Sequence, residues 1–312
     1  MADLPTRSLG DDGPEVSVIG LGCNNFGRRV DLAGTRAVVD AAIEQGITFF
    51  DTSNTYGDPH GRSEEFLGEA LQGRRDQVVL ATKFGMDMGD GLGPRGSRDY
   101  ILQAVKASLR RLRTDVIDYY WYHQPDGVTP IAETLETLNG LVQAGTVRWI
   151  GASNFSAQQI EEADAVARER GFARFTSIQN HYSLLVRDAE REVLPTCERL
   201  GLGFVPFFPL ASGLLTGKYK RGEPAPAGTR LASRDQVGTD EQFDAVEAVE
   251  RFAADRGVSI VDVAIGALLA RRPVSTVIAG ATKPEQVLTN AAAAAWVPSD
   301  ADMAELEELL NR

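Results

Sequence analysis

An α/β chain of eight parallel strand–helix units closed into a (β/α)8 TIM barrel is what the sequence predicts, and three observations lead there. Short apolar runs recur at Val16 to Leu21, Ile47 to Phe50, Val78 to Thr82, Ile117 to Trp121, Val147 to Ile150, Phe175 to Ile178, Gly203 to Phe207 and Thr276 to Ala279. Amphipathic stretches of helical period separate them, and strict strand–helix alternation implies parallel strands. Eight such units in 312 residues suit a closed barrel better than an open doubly wound sheet.

The first element lies outside the repeat. Arg7 to Val16 reads as two short strands around the Asp12-Gly13 turn, a hairpin preceding the barrel. Of the crossover helices, one carries apolar residues at Tyr100-Ile101, Ala104-Val105, Leu109 and Leu112, with Ser97 as its start signal. Another carries Ile131, Leu135, Leu138 and Val142 and is opened by Thr129-Pro130, since proline suits a first helical turn. Extra helices are expected at the C-terminus. With 43% hydrophobic residues and no Pro/Gly/Ser-rich linker, residues 1–312 are expected to form a single domain.

Composition excludes several function classes. The formal charge is −12, from 32 basic and 44 acidic residues, and no basic run offers a stripe for nucleic acid. Met1 to Pro5 shows neither the basic nor the apolar region of a leader, and no long uncharged apolar run occurs. A soluble, cytoplasmic protein with no membrane or nucleic-acid partner is expected; oligomeric state is left open. Cys23 and Cys197 lack His partners at ligand spacing, so they read as free thiols and no metal site is expected.

Chemistry collects at strand ends. Asp51, Lys83 and His123 end strands two, three and four, and Tyr56 follows Asp51 by five residues. In a barrel of this kind, the C-terminal strand ends converge on one mouth. Taken singly, each residue reads as a turn cap, a surface charge or a structural histidine. Together they suit carbonyl reduction: Tyr56 gives a proton, Lys83 favours its phenolate, Asp51 holds the ammonium, and His123 orients the carbonyl oxygen. Lysine is scarce, at positions 83, 106, 218, 220 and 283 only, and arginine is the chain's ordinary cation. A lysine at 83 therefore points to a need for a compact ammonium.

Two glycine motifs are weak competitors. Gly213-Leu-Leu-Thr-Gly217-Lys218 has three residues between its glycines and no Ser/Thr after the lysine, unlike a P-loop. Gly20-Leu21-Gly22 has Asn25 where a dinucleotide fingerprint needs its third glycine.

Ordered motifs then carry a resemblance. They are Phe50-Asp51-Thr52-Ser53-Asn54-Thr55-Tyr56-Gly57 with Ser63-Glu64-Glu65, Thr82-Lys83-Phe84-Gly85, Ser108-Leu109-Arg110-Arg111-Leu112 with Asp118-Tyr119, and His123-Gln124-Pro125-Asp126. Further along come Ile150-Gly151-Ala152-Ser153-Asn154-Phe155, Gln179-Asn180-His181-Tyr182-Ser183, Pro209 to Tyr219, and Gly280 to Gln286. From about residue 16 to 290 the chain resembles the aldo-keto reductase family.

The resemblance implies an NADP(H)-dependent oxidoreductase that passes hydride to an aldehyde or ketone, with NADPH expected over NADH and NADH still open. It matches Asp51, Tyr56, Lys83 and His123 to a catalytic tetrad in which Tyr56 is the general acid. Ser153, Asn154 and Gln179 match carboxamide contacts of the nicotinamide, roles that amides and hydroxyls suit. Phe207 falls where a tyrosine often stacks on the ring, and Phe208 where a serine is common. Leu210, Ser212, Gly213, Leu214 and Lys218 match the loop over the pyrophosphate, which Lys220 to Val237 would continue as a mobile cover. Gly280, Thr282, Lys283, Gln286 and Asn290 match the adenosine end, with Gln286 where arginine is frequent. Phe26, Phe84 and Trp121 are expected as walls of a partly aromatic substrate pocket, whose small-molecule carbonyl substrate stays unassigned among sugars, small aldehydes, quinones and ketones. Ser156 is expected to cap the following helix. The alternative is a non-catalytic, cofactor-sensing regulatory subunit resembling potassium-channel β subunits, which share the fold; the chain begins almost at the hairpin, which gives channel partnership little support.

Overall fold

Eight parallel strands curl into one sheet in the computed structural model, which describes residues 4–232 and 237–311. The strands are β3 (Ile19–Gly22), β4 (Phe49–Asp51), β5 (Val79–Phe84), β6 (Ile117–Tyr122), β7 (Val147–Ser153), β8 (Phe175–Gln179), β9 (Gly203–Phe204) and β10 (Val277–Gly280), and β10 pairs with β3. The other seam closes through irregular backbone: the Phe204 N–H donates to the Pro273 carbonyl at 3.0 Å, and the Ser275 N–H to the Phe204 carbonyl at 3.0 Å. The barrel inferred from alternation is therefore present.

The hairpin is there too, as β1 (Thr6–Ser8) and β2 (Glu15–Ser17). The expected first strand, Val16 to Leu21, divides between the end of that hairpin and β3. Leu9 and Val16, both fully buried, join Phe49, Ala81, Tyr119, Trp121, Val205 and Ile278 in a cluster that fills the barrel interior. Burying a large apolar side chain of this kind contributes about 1.5–3 kcal/mol. Gly10 is required at the hairpin turn, because φ is +79° and a Cβ would lie 2.2 Å from the Thr176 carbonyl oxygen.

The larger cluster lies between strands and helices. The crossover helices are α1 (Leu32–Glu44), α2 (Arg62–Ala70), α3 (Arg98–Leu112), α4 (Ile131–Gln143), α5 (Ala157–Arg170) and α6 (Val193–Leu200). They are followed by α7 (Asp240–Asp255), α8 (Ile260–Leu269), α9 (Pro284–Ala292) and α10 (Asp300–Leu310). No described helix is long and apolar enough to cross a membrane. Ser156 caps α5, accepting from the Gln159 N–H at 3.3 Å while Gln159 Oε1 accepts from the Ser156 N–H at 2.9 Å. Ser97 sits at the start of α3 but spends its hydroxyl on the Pro94 carbonyl, at 2.6 Å, so it makes no side-chain cap. Residues 233–236, part of the cover expected over Lys220 to Val237, lie outside the described residues, as do 1–3 and 312.

Candidate active site

Alternation along the strands decides which side chains reach the barrel axis. In β4, Phe49 faces the interior cluster, Phe50 the helices, and Asp51 the interior again. In β5 and β6, Lys83 pairs with Trp121 and Phe84 with Tyr122, so Lys83 and Trp121 point inward while Phe84 and Tyr122 point to the helices. His123 continues from β6 into the mouth, its N–H donating to the Phe84 carbonyl at 2.7 Å.

The four strand-end residues come together. Lys83 Nζ, with no exposure, donates to Asp51 Oδ2, to the Thr52 carbonyl at 2.8 Å and to the Tyr56 hydroxyl at 3.3 Å. Gln179 Nε2 donates to Asp51 Oδ1 at 3.1 Å, so both carboxylate oxygens are held. Tyr56 meets His123 edge to face, with ring centroids 5.9 Å apart. An ammonium has three protons to give, and here all three are committed.

The electrostatics follow from burial and from this chain of contacts. Burial works against a charge on Lys83, yet Asp51 and Tyr56 beside it leave its pKa above the usual lysine value. Burial pushes the Asp51 carboxyl up, opposed by Lys83 and Gln179. For Tyr56, burial raises the pKa and the Lys83 charge lowers it; burial wins, and the group rests as a phenol. Lys83 favours the phenolate, as the sequence predicts, but burial outweighs it. His123 is pushed well below its ordinary value by burial and then by Lys83, which keeps the imidazole neutral.

From this centre a cleft of about 870 Å³ runs to the start of α9. Asn154, Gln179, Phe207, Leu210, Ser212, Gly213, Lys218, Gly280, Thr282, Lys283, Gln286 and Asn290 line it, along with Asp51, Tyr56 and His123. An extended dinucleotide suits this shape. Gly280 and Gly213 keep the walls low, and at Gly213 (φ +100°) a Cβ would meet Lys218 Nζ at 2.7 Å. One face of Phe207 is stacked by His181, with centroids 5.3 Å apart and planes 11° apart.

Ser153 and Leu214 do not line the cleft. Ser153 lies behind Asn154, whose Nδ2 reaches its Oγ at 3.2 Å, and Leu214 packs into the core. The aromatic walls also need correction: Phe26, Phe84 and Trp121 are fully buried and none lines the cleft. Phe84 stacks on Tyr122 at 5.0 Å, and neighbours on a strand cannot both face the axis once Lys83 does. Trp121 instead packs on Tyr119 inside the barrel, with ring centroids 4.5 Å apart. Polar residues line the cleft in their place, Thr55, His60, Asp87, Arg29 and Arg230, with Met86 beside them.

Several of these were not read from sequence. Arg230 Nη2 donates to Asn24 Oδ1 and Asn25 Oδ1, both at 3.1 Å, and its guanidinium lies 5.2 Å from the Phe208 ring centroid. Arg29 Nη2 donates to the Gly228 carbonyl at 2.7 Å. The segment 227–230 thus straps across the cleft. Asn24 and Asn25 lie two and three residues past the end of β3, close enough for a strand-end rule to reach them; the partners of Arg230 are some 200 residues away and leave no local signal.

The Aldo/keto reductase family model matches residues 18–311. The chain belongs to that family. Among its relatives, a probable voltage-gated potassium channel subunit beta of Oryza sativa subsp. japonica is 36% identical over 94% of this chain and 92% of its own length. The L-glyceraldehyde 3-phosphate reductase of Escherichia coli (strain K12) is 33% identical over 91% of this chain and 86% of its own. An aldo-keto reductase of Bacillus subtilis (strain 168) is 35% identical over 97% and 93%. Relatives named as oxidoreductases and one named as a channel subunit are thus similar to this chain over most of its length.

Proposed function

We propose that the chain is an NADP(H)-dependent reductase of small aldehydes or ketones, working in the cytoplasm, with Tyr56 as general acid. The observation that carries the reading is the unbroken contact chain Asp51–Lys83–Tyr56 at the base of the cleft, with His123 facing Tyr56 across it. When bound, the reduced nicotinamide supplies a hydride to the carbonyl carbon. Asn154 and Gln179 would hold its carboxamide, Phe207 its ring, Ser212, Gly213 and Lys218 the pyrophosphate, and Thr282 and Lys283 the adenosine phosphate.

The residues of the chain supply the rest. A carbonyl oxygen between Tyr56 and His123 accepts hydrogen bonds from both and is polarised. As negative charge grows on it, Tyr56 gives up its proton, and the phenolate left behind lies 3.3 Å from Lys83 Nζ. Asp51 keeps Lys83 charged, so the cost of removing a proton from the half-buried phenol falls where the reaction needs it. A neutral His123 adds a second donor without adding a like charge beside Lys83.

Steady-state NADPH oxidation with a panel of aldehydes tests the reading. Tyr56→Phe should remove most turnover and leave NADPH binding nearly intact; wild-type turnover in that variant would remove Tyr56 from its role. The relatives named as channel subunits support a second reading, a cofactor-sensing regulatory subunit. Tight NADPH binding with no turnover on any aldehyde or ketone would favour it.

A further inference from the structure

We propose that Ser53, relaying from Thr55, locks the His123 imidazole in the tautomer whose Nε2 carries the proton and faces the cleft. The inference rests on geometry for the contact between Ser53 and Nδ1, and on the carbonyl-reduction reading for the choice of the tautomer that donates from Nε2. Ser53 follows Asp51 by two residues and is fully buried, and its Oγ lies 3.2 Å from His123 Nδ1.

A hydroxyl has one proton and two lone pairs. The Thr55 N–H donates to Ser53 Oγ at 3.3 Å, and the Thr55 hydroxyl lies 3.0 Å from the same oxygen. Either hydroxyl of the 3.0 Å pair can donate; where Thr55 does, both lone pairs of Ser53 are occupied and the Ser53 proton turns to Nδ1. Asn54 Oδ1, at 3.4 Å, is the competing acceptor and lies past the usual O–H···O distance. Nδ1 then accepts, and a neutral imidazole that accepts at Nδ1 carries its proton at Nε2.

Among the described residues, no other hydrogen bond reaches the His123 ring. The backbone of His123 is clamped by its N–H on the Phe84 carbonyl and by Asn154 Nδ2 on its own carbonyl at 2.9 Å, but neither bond touches the ring. The reverse assignment, Nδ1–H donating to Ser53, would turn a bare Nε2 lone pair toward a carbonyl oxygen, where two acceptors repel. An alanine at 53 would leave Nδ1 buried without a partner, a cost the chain avoids by carrying a hydroxyl there.

The chain has three histidines, His60, His123 and His181, so the imidazole nitrogens can be resolved individually. The experiment is long-range ¹H–¹⁵N correlation on the labelled full-length protein with NADP⁺, assigned with His60→Gln and His181→Gln. The expected spectrum has His123 Nδ1 unprotonated and Nε2 protonated; a protonated Nδ1 would overturn the inference. Ser53→Ala should show both tautomers and lower kcat about tenfold, the value of one hydrogen bond, with the NADPH dissociation constant unchanged. Ser53→Thr should restore the single tautomer and the rate. A Ser53→Ala spectrum and kcat equal to the wild type's would equally overturn it. If the wild type reduces no carbonyl compound, the activity reading fails and the spectrum still decides the tautomer.

Discussion

Lys83 Nζ lies 3.3 Å from the Tyr56 hydroxyl while its other two protons are taken by Asp51 Oδ2 and the Thr52 carbonyl. The ammonium cannot rotate away from the phenol without breaking two buried bonds. Its charge is thus delivered at one point, which an exposed lysine on a flexible stem would not do. Lys83→Met should remove that charge, leaving Asp51 buried with only Gln179. The expected result is a loss of turnover of about 10²–10⁴-fold together with a stability loss of about 3–5 kcal/mol. Steady-state kinetics and urea unfolding on the same preparation measure both. A stable variant with wild-type kcat would show that Tyr56 needs no neighbouring charge.

Cofactor choice is expected to turn on the start of α9. Gln286 Oε1 accepts from the Thr282 N–H at 2.7 Å and from the Thr282 hydroxyl at 3.1 Å, so its side chain ties down the loop instead of reaching for a phosphate. Lys283, exposed at that end of the cleft, is the cation left to meet a 2′-phosphate. Lys283→Ala should weaken NADPH binding about tenfold, one charge-assisted contact, and leave NADH unchanged. Gln286→Glu keeps both acceptor bonds but adds a like charge beside the phosphate, and should narrow the NADPH preference further. Fluorescence titration with each cofactor checks the pair; equal losses for NADPH and NADH would place the selectivity elsewhere.

The barrel, its hairpin and the four residues at its base were legible because each depends on local patterning: alternating apolar runs, helical period, and polar residues at strand ends. What was misjudged depends on which face of a strand a residue takes. Phe84 and Trp121 were both assigned to the pocket, yet Lys83 and Phe84 are adjacent and point to opposite sides, so placing Lys83 inside already sends Phe84 out. Trp121 shares the inner face but is enclosed in the interior cluster with Tyr119 and Phe49, and alternation reports the face a residue takes, not whether neighbours cover it. The seventh strand was read as Gly203 to Phe207 and is only Gly203–Phe204, because the barrel closes there through Pro273 and Ser275, which lie far along the chain. The strap across the cleft was invisible for the same reason.

Acid should destabilise the fold through His123. Its folded pKa is well below the ordinary 6.5, first by burial and then by Lys83, while in the unfolded chain it titrates normally. Between 6.5 and the folded pKa the unfolded state therefore holds the extra proton. The stabilisation is complete above pH 6.5 and is lost as pH falls below it, at up to about 1.4 kcal/mol per pH unit. Urea midpoints from pH 7.5 to 5 measure the slope, and His123→Gln should flatten it. His181, also lowered by burial, contributes in the same direction. A slope unchanged in His123→Gln would mean that the imidazole is charged in the folded protein.

Arg230 should govern how fast a bound dinucleotide leaves. Its guanidinium joins Asn24 and Asn25 after β3 to Phe208 after β9, and Arg29 holds the same segment by the Gly228 carbonyl. Any ligand lying along the cleft passes beneath this strap, so release requires breaking the two Arg230 bonds while the ligand's own contacts are still made. Arg230→Ala removes both bonds and the ring contact, and dissociation of NADPH should quicken by about tenfold or more, at about 1 kcal/mol for each bond lost. Arg29→Ala removes one bond and should have the smaller effect. Stopped-flow displacement of prebound NADPH measures the rate, with Lys83 and Tyr56 untouched in both variants. An off-rate equal to the wild type's in Arg230→Ala would mean that the strap opens freely and that the hold on the cofactor lies wholly in the walls of the cleft.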